Sequence, residues 1–257
     1  MEPARAAGRG ARRGRPAEGR AKAATVLAKN IVREIHRRGL GPGDKLLSEH
    51  KMVERYGVAR GSLREALRYL ELHGVLRIKS GPGGGPLIAT PNGRHFASAL
   101  ALMLQFVGAR FRAIVETRLV VEPGIAALAA ERATAADLEA LRDCLVAMRR
   151  QVGEARGFQE ALRRFHDLVA FASGNPVFRF LLPALHWISD GAAVEYREAE
   201  RRRVLRATRA ILVAIEARDG AAAYTSMQRF FAMSLAYLDR TYPDALARPV
   251  TWSDSEL

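Results

Sequence analysis

Residues 48–89 run SEHKMVERYGVARGSLREALRYLELHGVLRIKSGPGGGPLIA, and the punctuation of this stretch decides the fold. Ser48 stands before Glu49, His50 and Lys51 as a helix N-cap. Met52, Val53 and Tyr56 then turn inward until Gly57 stops the chain. A second helix follows from about Gly61 to Gly74, with Leu63, Ala66, Leu67 and Leu70 on one face. Val75-Leu76-Arg77-Ile78-Lys79 alternates as a strand does. Ser80-Gly81-Pro82-Gly83-Gly84-Gly85-Pro86 turns, and Leu87-Ile88-Ala89 returns as a second strand. Upstream, Leu27, Ile31 and Ile35 recur at i, i+4 and i+8, so a further helix precedes from Thr25. Gly39-Leu40-Gly41-Pro42-Gly43 closes it. Helix, helix, helix, hairpin is the layout of a winged helix-turn-helix.

Outward from this stretch the chain changes character. Residues 1–22 are Gly, Ala, Pro and Arg with almost no large apolar residue, which predicts a flexible basic arm. Residues 23–91 form the winged module, and Pro91-Asn92-Gly93 is a natural boundary. From 92 to 242 Ala/Leu/Arg runs at helical spacing, with few Pro and no strand alternation, predict an all-α bundle. Its helices are expected near 94–107, 109–131, 135–152, 157–173, 176–190, 195–218 and 221–241, with Thr134/Asp137 and Asn175/Pro176 as starts. Residues 243–257 are expected to be a frayed tail. The fold class is therefore mainly α, a winged helix-turn-helix followed by a helical bundle.

Composition narrows the function. The 257 residues hold 41 Lys+Arg against 27 Asp+Glu, a net of +14. Residues 1–91 hold 19 against 8 and residues 92–257 hold 22 against 19, so the surplus lies in the first third. A basic module joined to a near-neutral one points to nucleic acid as the partner. The single Cys144 excludes an intrachain disulfide or a cysteine metal cluster, and sits at core spacing rather than as a nucleophile. No apolar run is long enough to span a membrane, and no apolar segment follows the N-terminal Arg, so a cytoplasmic protein is expected. Enzyme motifs are missing: there is no Walker loop, zinc-protease His pair or Gly-x-Ser-x-Gly elbow, and the glycine run 81–85 leads to a strand instead of a helix N-terminus.

The motifs of residues 24–90, Leu47-Ser48-Glu49, Tyr56-Gly57-Val58-Ala59-Arg60-Gly61-Ser62-Leu63-Arg64-Glu65-Ala66-Leu67 and the glycine-rich wing, resemble the DNA-binding domain of GntR-family bacterial regulators. The second part resembles the helical effector domain of the FadR-like branch, in Glu116-Thr117-Arg118-Leu119-Val120-Val121-Glu122-Pro123, Phe165-His166 and Ala172-Ser173-Gly174-Asn175. The physics of the first module agrees. A major groove about 12 Å wide admits one helix, read by its N-terminal residues, and Arg60, Ser62 and Arg64 begin the third helix. The resemblance makes Arg60 and Arg64 the base or near-base contacts and puts Gly61 and Ser62 against DNA. It gives His50 a backbone-contact position that is Arg in many relatives. Gly81 at the wing tip lets the backbone approach the duplex, and Lys79 suits a phosphate. Arg68 is expected to pair with Glu65 or Glu71.

Many members of that branch bind a divalent metal through an Asp, a His four residues later and two further His. Here His166 matches the first His, but Leu162, Thr208 and Phe230 stand at the other three positions. One ligand of four remains, so no metal and no other cofactor is expected. His186 lies on a different predicted helix and is not counted as a replacement. Leu162 and Phe230 make the pocket more apolar, leaving Arg118, His166 and Thr208 as polar points for a hydrophobic carboxylate or acyl-CoA effector. Arg118 has a second available role, an ion pair with Glu122. Trp187, Tyr196 and Tyr224 are lining candidates. The resulting expectation is a homodimeric regulator, most commonly a repressor, that binds double-stranded operator DNA under effector control. Competing readings are a metal- or organic-acid-sensing relative, a side-chain-filled pocket without ligand, and an architectural DNA-binding protein.

Overall fold

The computed structural model describes residues 15–81, 84–90, 92–191 and 194–252. It divides into two compact units, the first ending at Asn92 and the second beginning at Gly93.

The first unit comprises α1 (Arg15–Arg37), α2 (Glu49–Tyr56), α3 (Arg60–Leu72), β1 (Leu76–Lys79) and β2 (Gly85–Ile88). The apolar stripes read from the sequence meet in one core. Leu27, Ile31 and Ile35 of α1 pack with Met52 of α2 and with Leu63, Ala66, Leu67 and Leu70 of α3. Burying each of the larger side chains contributes about 1.5–3 kcal/mol. β1 and β2 pair antiparallel, with Leu76 opposite Ile88 and Lys79 opposite Gly85. A bond from the Ile78 amide to Glu71 Oε1 (2.8 Å) ties the wing to α3. Glu34 of α1 accepts from Arg55 of α2 at 2.6 Å and also pairs with Arg37, which fixes α2 against α1.

Two expectations for this unit need correction. α1 is helical from Arg15, ten residues before Thr25, so the arm expected over 1–22 overlaps it; residues 1–14 lie outside the described residues. Ser48 precedes α2 but makes no side-chain capping bond.

The second unit comprises α4 (Arg94–Phe106), α5 (Phe111–Arg132), α6 (Ala135–Arg150), α7 (Ala155–Ala172), α8 (Phe178–Asp190), α9 (Glu198–Glu216), α10 (Gly220–Thr241) and α11 (Pro243–Ala247). α5 is the central helix, packed against α7, α8, α9 and α10. Its inward Ile125, Ala126, Ala129 and Ala130 are small enough for neighbouring helices to close on it. Thr134 and Asp137 form the capping box that starts α6. The expected tail is not frayed where it is described. Leu246 of α11 and Val250 are buried, and the Val250 amide bonds the Ala109 carbonyl at 2.8 Å. Residues 253–257 lie outside the described residues.

Candidate functional site

The amphipathic pattern of α3 fixes which residues face outward. With Leu63, Ala66, Leu67 and Leu70 committed to the core, Arg60, Gly61, Arg64 and Arg68 are exposed and Ser62 is half-buried. Arg60 opens the helix and makes no ion pair among the described residues. Arg64 reaches back fifteen residues to Glu49 at the start of α2, Nε donating to Oε2 at 3.1 Å. That bond uses Nε and leaves the terminal edge of the guanidinium clear, the edge that can donate two parallel bonds to a guanine. The pair expected of Arg68 does not form among the described residues; Glu71 is spent on the Ile78 amide. His50 is exposed and lies 3.4 Å from Glu54.

On the wing, Lys79 is exposed at the end of β1 and Gly81 has a φ of +92°. Gly84 closes the turn so tightly that a Cβ there would lie 2.2 Å from the Lys79 carbonyl oxygen. Only glycine fits that approach. Sequence reasoning singled out Gly81 and missed Gly84, because the constraint comes from the folded turn. Arg60, Gly61, Ser62 and Arg64 share the start of α3, with Glu49 and His50 on α2; Lys79 and Gly81 share the wing.

The second candidate site is a buried chain of polar groups. Arg118 and Glu122 stand one turn apart on α5, Arg118 Nε donating to Glu122 Oε1 at 2.6 Å. The other carboxylate oxygen, Oε2, is paired with Nδ1 of His166 on α7. His186 of α8 follows, its Nδ1 2.8 Å from Asp167 Oδ1 and its Nε2 3.8 Å from Glu122 Oε1, too long for a hydrogen bond. The His166 and His186 ring centroids are 6.0 Å apart. Thus His186, set aside because it belongs to another helix, joins the cluster: α8 packs against α7 and delivers it there. Asp167 and Phe231 were also missed.

Burial by itself pushes the Glu122 carboxyl up, but Arg118 and then His166 reverse this and hold it well below the ordinary carboxylate range. Burial pushes the His166 imidazole down, and Glu122 offsets only part of that. His166 is therefore neutral at pH 7, and facing an ionised carboxylate it carries its proton on Nδ1. Its Nε2, like that of His186, has no partner among the described residues.

The walls are apolar. Leu162 and Phe230 are buried, and the Phe230 ring lies 4.9 Å from His166. Arg118 lies over the Phe231 ring at 5.2 Å. Thr208 is buried, with its hydroxyl returned to the Val204 carbonyl of its own helix at 2.9 Å. Of the expected effector residues the structure joins Arg118, His166 and Phe230 through Glu122 and ring contact. Among the described residues no group of three or more His, Cys, Asp or Glu is arranged to hold a metal ion. Tyr196 packs on Tyr237 at 5.3 Å and Trp187 against the core, whereas Tyr224 is 42% exposed. Cys144 is buried, its thiol bonded to the Ala161 carbonyl and pushed up by burial to about 11, which disfavours the thiolate.

An outward arginine-bearing helix with a tight wing, joined to a helical unit holding a buried polar cluster, is the build of a winged-helix regulator that binds DNA. The family described as "Bacterial regulatory proteins, gntR family" matches residues 23–84, and "FCD domain" matches residues 113–233. The chain belongs to the GntR family of bacterial regulatory proteins, which are DNA-binding transcriptional regulators and not enzymes, and it carries an FCD domain.

Among its relatives is the HTH-type transcriptional regulator LutR of Bacillus subtilis, 32% identical over 143 residues, 56% of this chain and 64% of LutR. Another is YcbG of the same organism, 30% identical over 182 residues, 68% of this chain and 75% of YcbG. The transcriptional repressor NanR of Cronobacter sakazakii is 27% identical over 217 residues, covering 80% of this chain and 81% of NanR. A solved Streptococcus agalactiae GntR structure shares the fold, with a TM-score of 0.67 at 24% identity over 83% of this chain and 99% of that one.

Proposed function

We propose that this protein is a cytoplasmic, homodimeric transcriptional repressor whose grip on an operator is set by a small hydrophobic carboxylate or acyl-CoA in the helical unit. Arg60 and Arg64 read bases in the major groove, with Gly61 and Ser62 against the duplex. His50, Lys79 and Gly81 approach the backbone. The observation that carries the reading is the outward arginine edge at the start of α3, free at Arg60 and half-committed at Arg64. Two copies are needed because one recognition helix reads only a few base pairs, and two-fold symmetry doubles the readout. Repression is the reading that the relative NanR, a transcriptional repressor, supports. Among the described residues no helix is long and apolar enough to cross a membrane.

The effector site is assigned to Arg118, His166, Leu162, Thr208 and Phe230. Arg118 is held to Glu122 only through Nε, so its terminal edge is available to a carboxylate. Leu162 and Phe230 supply apolar wall. Control requires that the ligand bind the DNA-competent and DNA-released states with different affinity.

The test is binding of purified protein to the DNA upstream of its own gene and to random DNA at one salt concentration, with and without a fatty acyl-CoA. Operator preference released by acyl-CoA is the expected result. Preference unmoved by the acyl-CoA rejects that ligand class, and equal binding to both DNAs rejects the regulator in favour of an architectural role.

A further inference from the structure

The near-neutral charge of the helical unit conceals an uneven distribution. Residues 92–257 hold 22 Arg against 19 acidic residues. The stretch 197–216, which is α9 and its N-cap, holds six Arg against three Glu, so the rest of the unit is balanced. Arg201 is turned inward, donating to the carbonyls of Val152, Tyr196 and Gly153. Arg202, Arg203, Arg206 and Arg209 are exposed.

α6 runs antiparallel beside α9. Arg142 Nε meets Glu216 Oε1 at 2.6 Å at one end, and Arg201 meets the Val152 carbonyl at 2.7 Å at the other. Seven residues, two turns, along each helix from the Arg142–Glu216 pair stand Arg149 and Arg209. The register that matches opposite charges at one level of the seam therefore matches like charges two turns on. Both side chains are exposed, and neither has an ion pair among the described residues. The three Glu of the stretch are already engaged: Glu198 with Arg202, Glu200 with Arg203 and Glu216 with Arg142. Arg150 and Arg206 add two more exposed cations with no ion pair among the described residues. Like charges in register are unfavourable in isolation and become favourable when an anion lies across them.

We propose that the seam of α6 and α9, centred on Arg149, Arg206 and Arg209, binds the phosphodiester backbone of DNA flanking the operator. Arg202 to Arg209 spans about 10 Å of helix, comparable with the axial rise of about three base pairs. DNA is favoured over an acidic protein because this chain already carries a DNA-reading unit, so flanking duplex is present at high effective concentration. The inference rests on the operator-binding function proposed above and extends it to a second surface.

The test uses the full chain and its Arg149→Gln/Arg209→Gln variant. Binding is measured on a duplex trimmed to the footprinted operator and on one with about 20 base pairs of flank on each side. Loss of two phosphate contacts in each protomer, four per dimer, should lower the salt slope on the long duplex by about 3.6. The two proteins then converge near 1 M salt and differ by about 4,000-fold near 0.1 M. On the trimmed duplex they should bind equally. Equal binding on both duplexes, or an equal loss on both, overturns the proposal and leaves the face to another anion. Arg206→Gln, a single change on the exposed stripe, should shift the long-duplex slope by about half as much and carries the test should the double variant unfold. If wild-type protein shows no operator preference, the function proposed above falls, whereas a length-dependent loss on random duplexes still upholds this surface.

Discussion

Removing the Glu122 carboxylate tests whether the buried cluster holds the helical unit together. Glu122 is 1% exposed and neutralises Arg118, itself only 17% exposed on its side chain. Glu122→Ala leaves a buried guanidinium without its anion and the Nδ1–H of His166 without an acceptor. Stripping one partner from a buried, hydrogen-bonded ion pair costs about 3–5 kcal/mol. For a unit of this size each kcal/mol lowers the melting temperature by roughly 2–4 °C, so a drop on the order of 6–20 °C is expected.

Glu122→Gln should cost less, about 1–3 kcal/mol. The amide oxygen can still accept from Arg118, and His166 can move its proton to Nε2 and accept from the amide nitrogen. The assay is urea and thermal unfolding of the full chain, fitted as two transitions because the two units need not unfold together. Only the helical unit's transition should move. A Glu122→Ala variant within about 0.5 kcal/mol of wild type, the usual range for a surface change, would refute the account of the cluster.

Acid should weaken the same unit in two stages. His166 titrates below its ordinary imidazole value when folded, so the unfolded chain takes up protons first as pH falls below about 6.5, and stability drops there. Glu122 titrates well below the ordinary carboxylate range when folded, so a further loss begins below about 4.5. Melting from pH 8 to pH 4 checks this, and a flat curve between pH 7 and pH 5 contradicts it. On the DNA side, Arg64→Ala should cut operator preference by roughly 1–3 kcal/mol per half-site, five- to 150-fold each, whereas Lys79→Ala should weaken all sequences alike and lower the salt slope by about 0.9 per protomer. Equal effects of both on operator and random DNA, measured by titration, would sink that division of roles. Gly84→Ala should loosen the wing, since its Cβ would meet the Lys79 carbonyl at 2.2 Å; DNA affinity falls while the helical unit's melting stays put, and unchanged affinity counts against the wing contact.

What was legible in the sequence was local. The stripe Leu63, Ala66, Leu67, Leu70 announced α3 and its outward edge, and Thr134 with Asp137 announced α6, because period and capping are written in neighbouring residues. Arg118 with Glu122 was legible for the same reason, being one turn apart. The contacts that complete each site were not. Glu49 meets Arg64 across fifteen residues, and His186 reaches the cluster only because α8 packs on α7. The early start of α1 and the buried Leu246 and Val250 were missed for a related reason. Both segments are poor in apolar periodicity, and the order of Leu246 and Val250 comes from what they pack and bond against.

The division of charge in this chain follows from the cost of burying it. An ion taken from water costs several kcal/mol unless it is paired and fully hydrogen-bonded. Among the described residues Glu122 is flanked by Arg118 and His166, Glu34 by Arg37 and Arg55, Arg201 is satisfied by three carbonyls, and Glu200 is paired with Arg203. Such charges are spent on structure, save the terminal edge of Arg118 that its Nε bond to Glu122 leaves clear. Among the described residues it is at the outer positions that guanidiniums without an ion pair are found: Arg60 and Arg68 on α3, Arg149 and Arg150 on α6, Arg206 and Arg209 on α9. Exposed pairs contribute little to stability, so leaving these unpaired costs the fold almost nothing. It keeps counterions on them that a polyanion can displace, which is the free energy that nucleic-acid binding draws on.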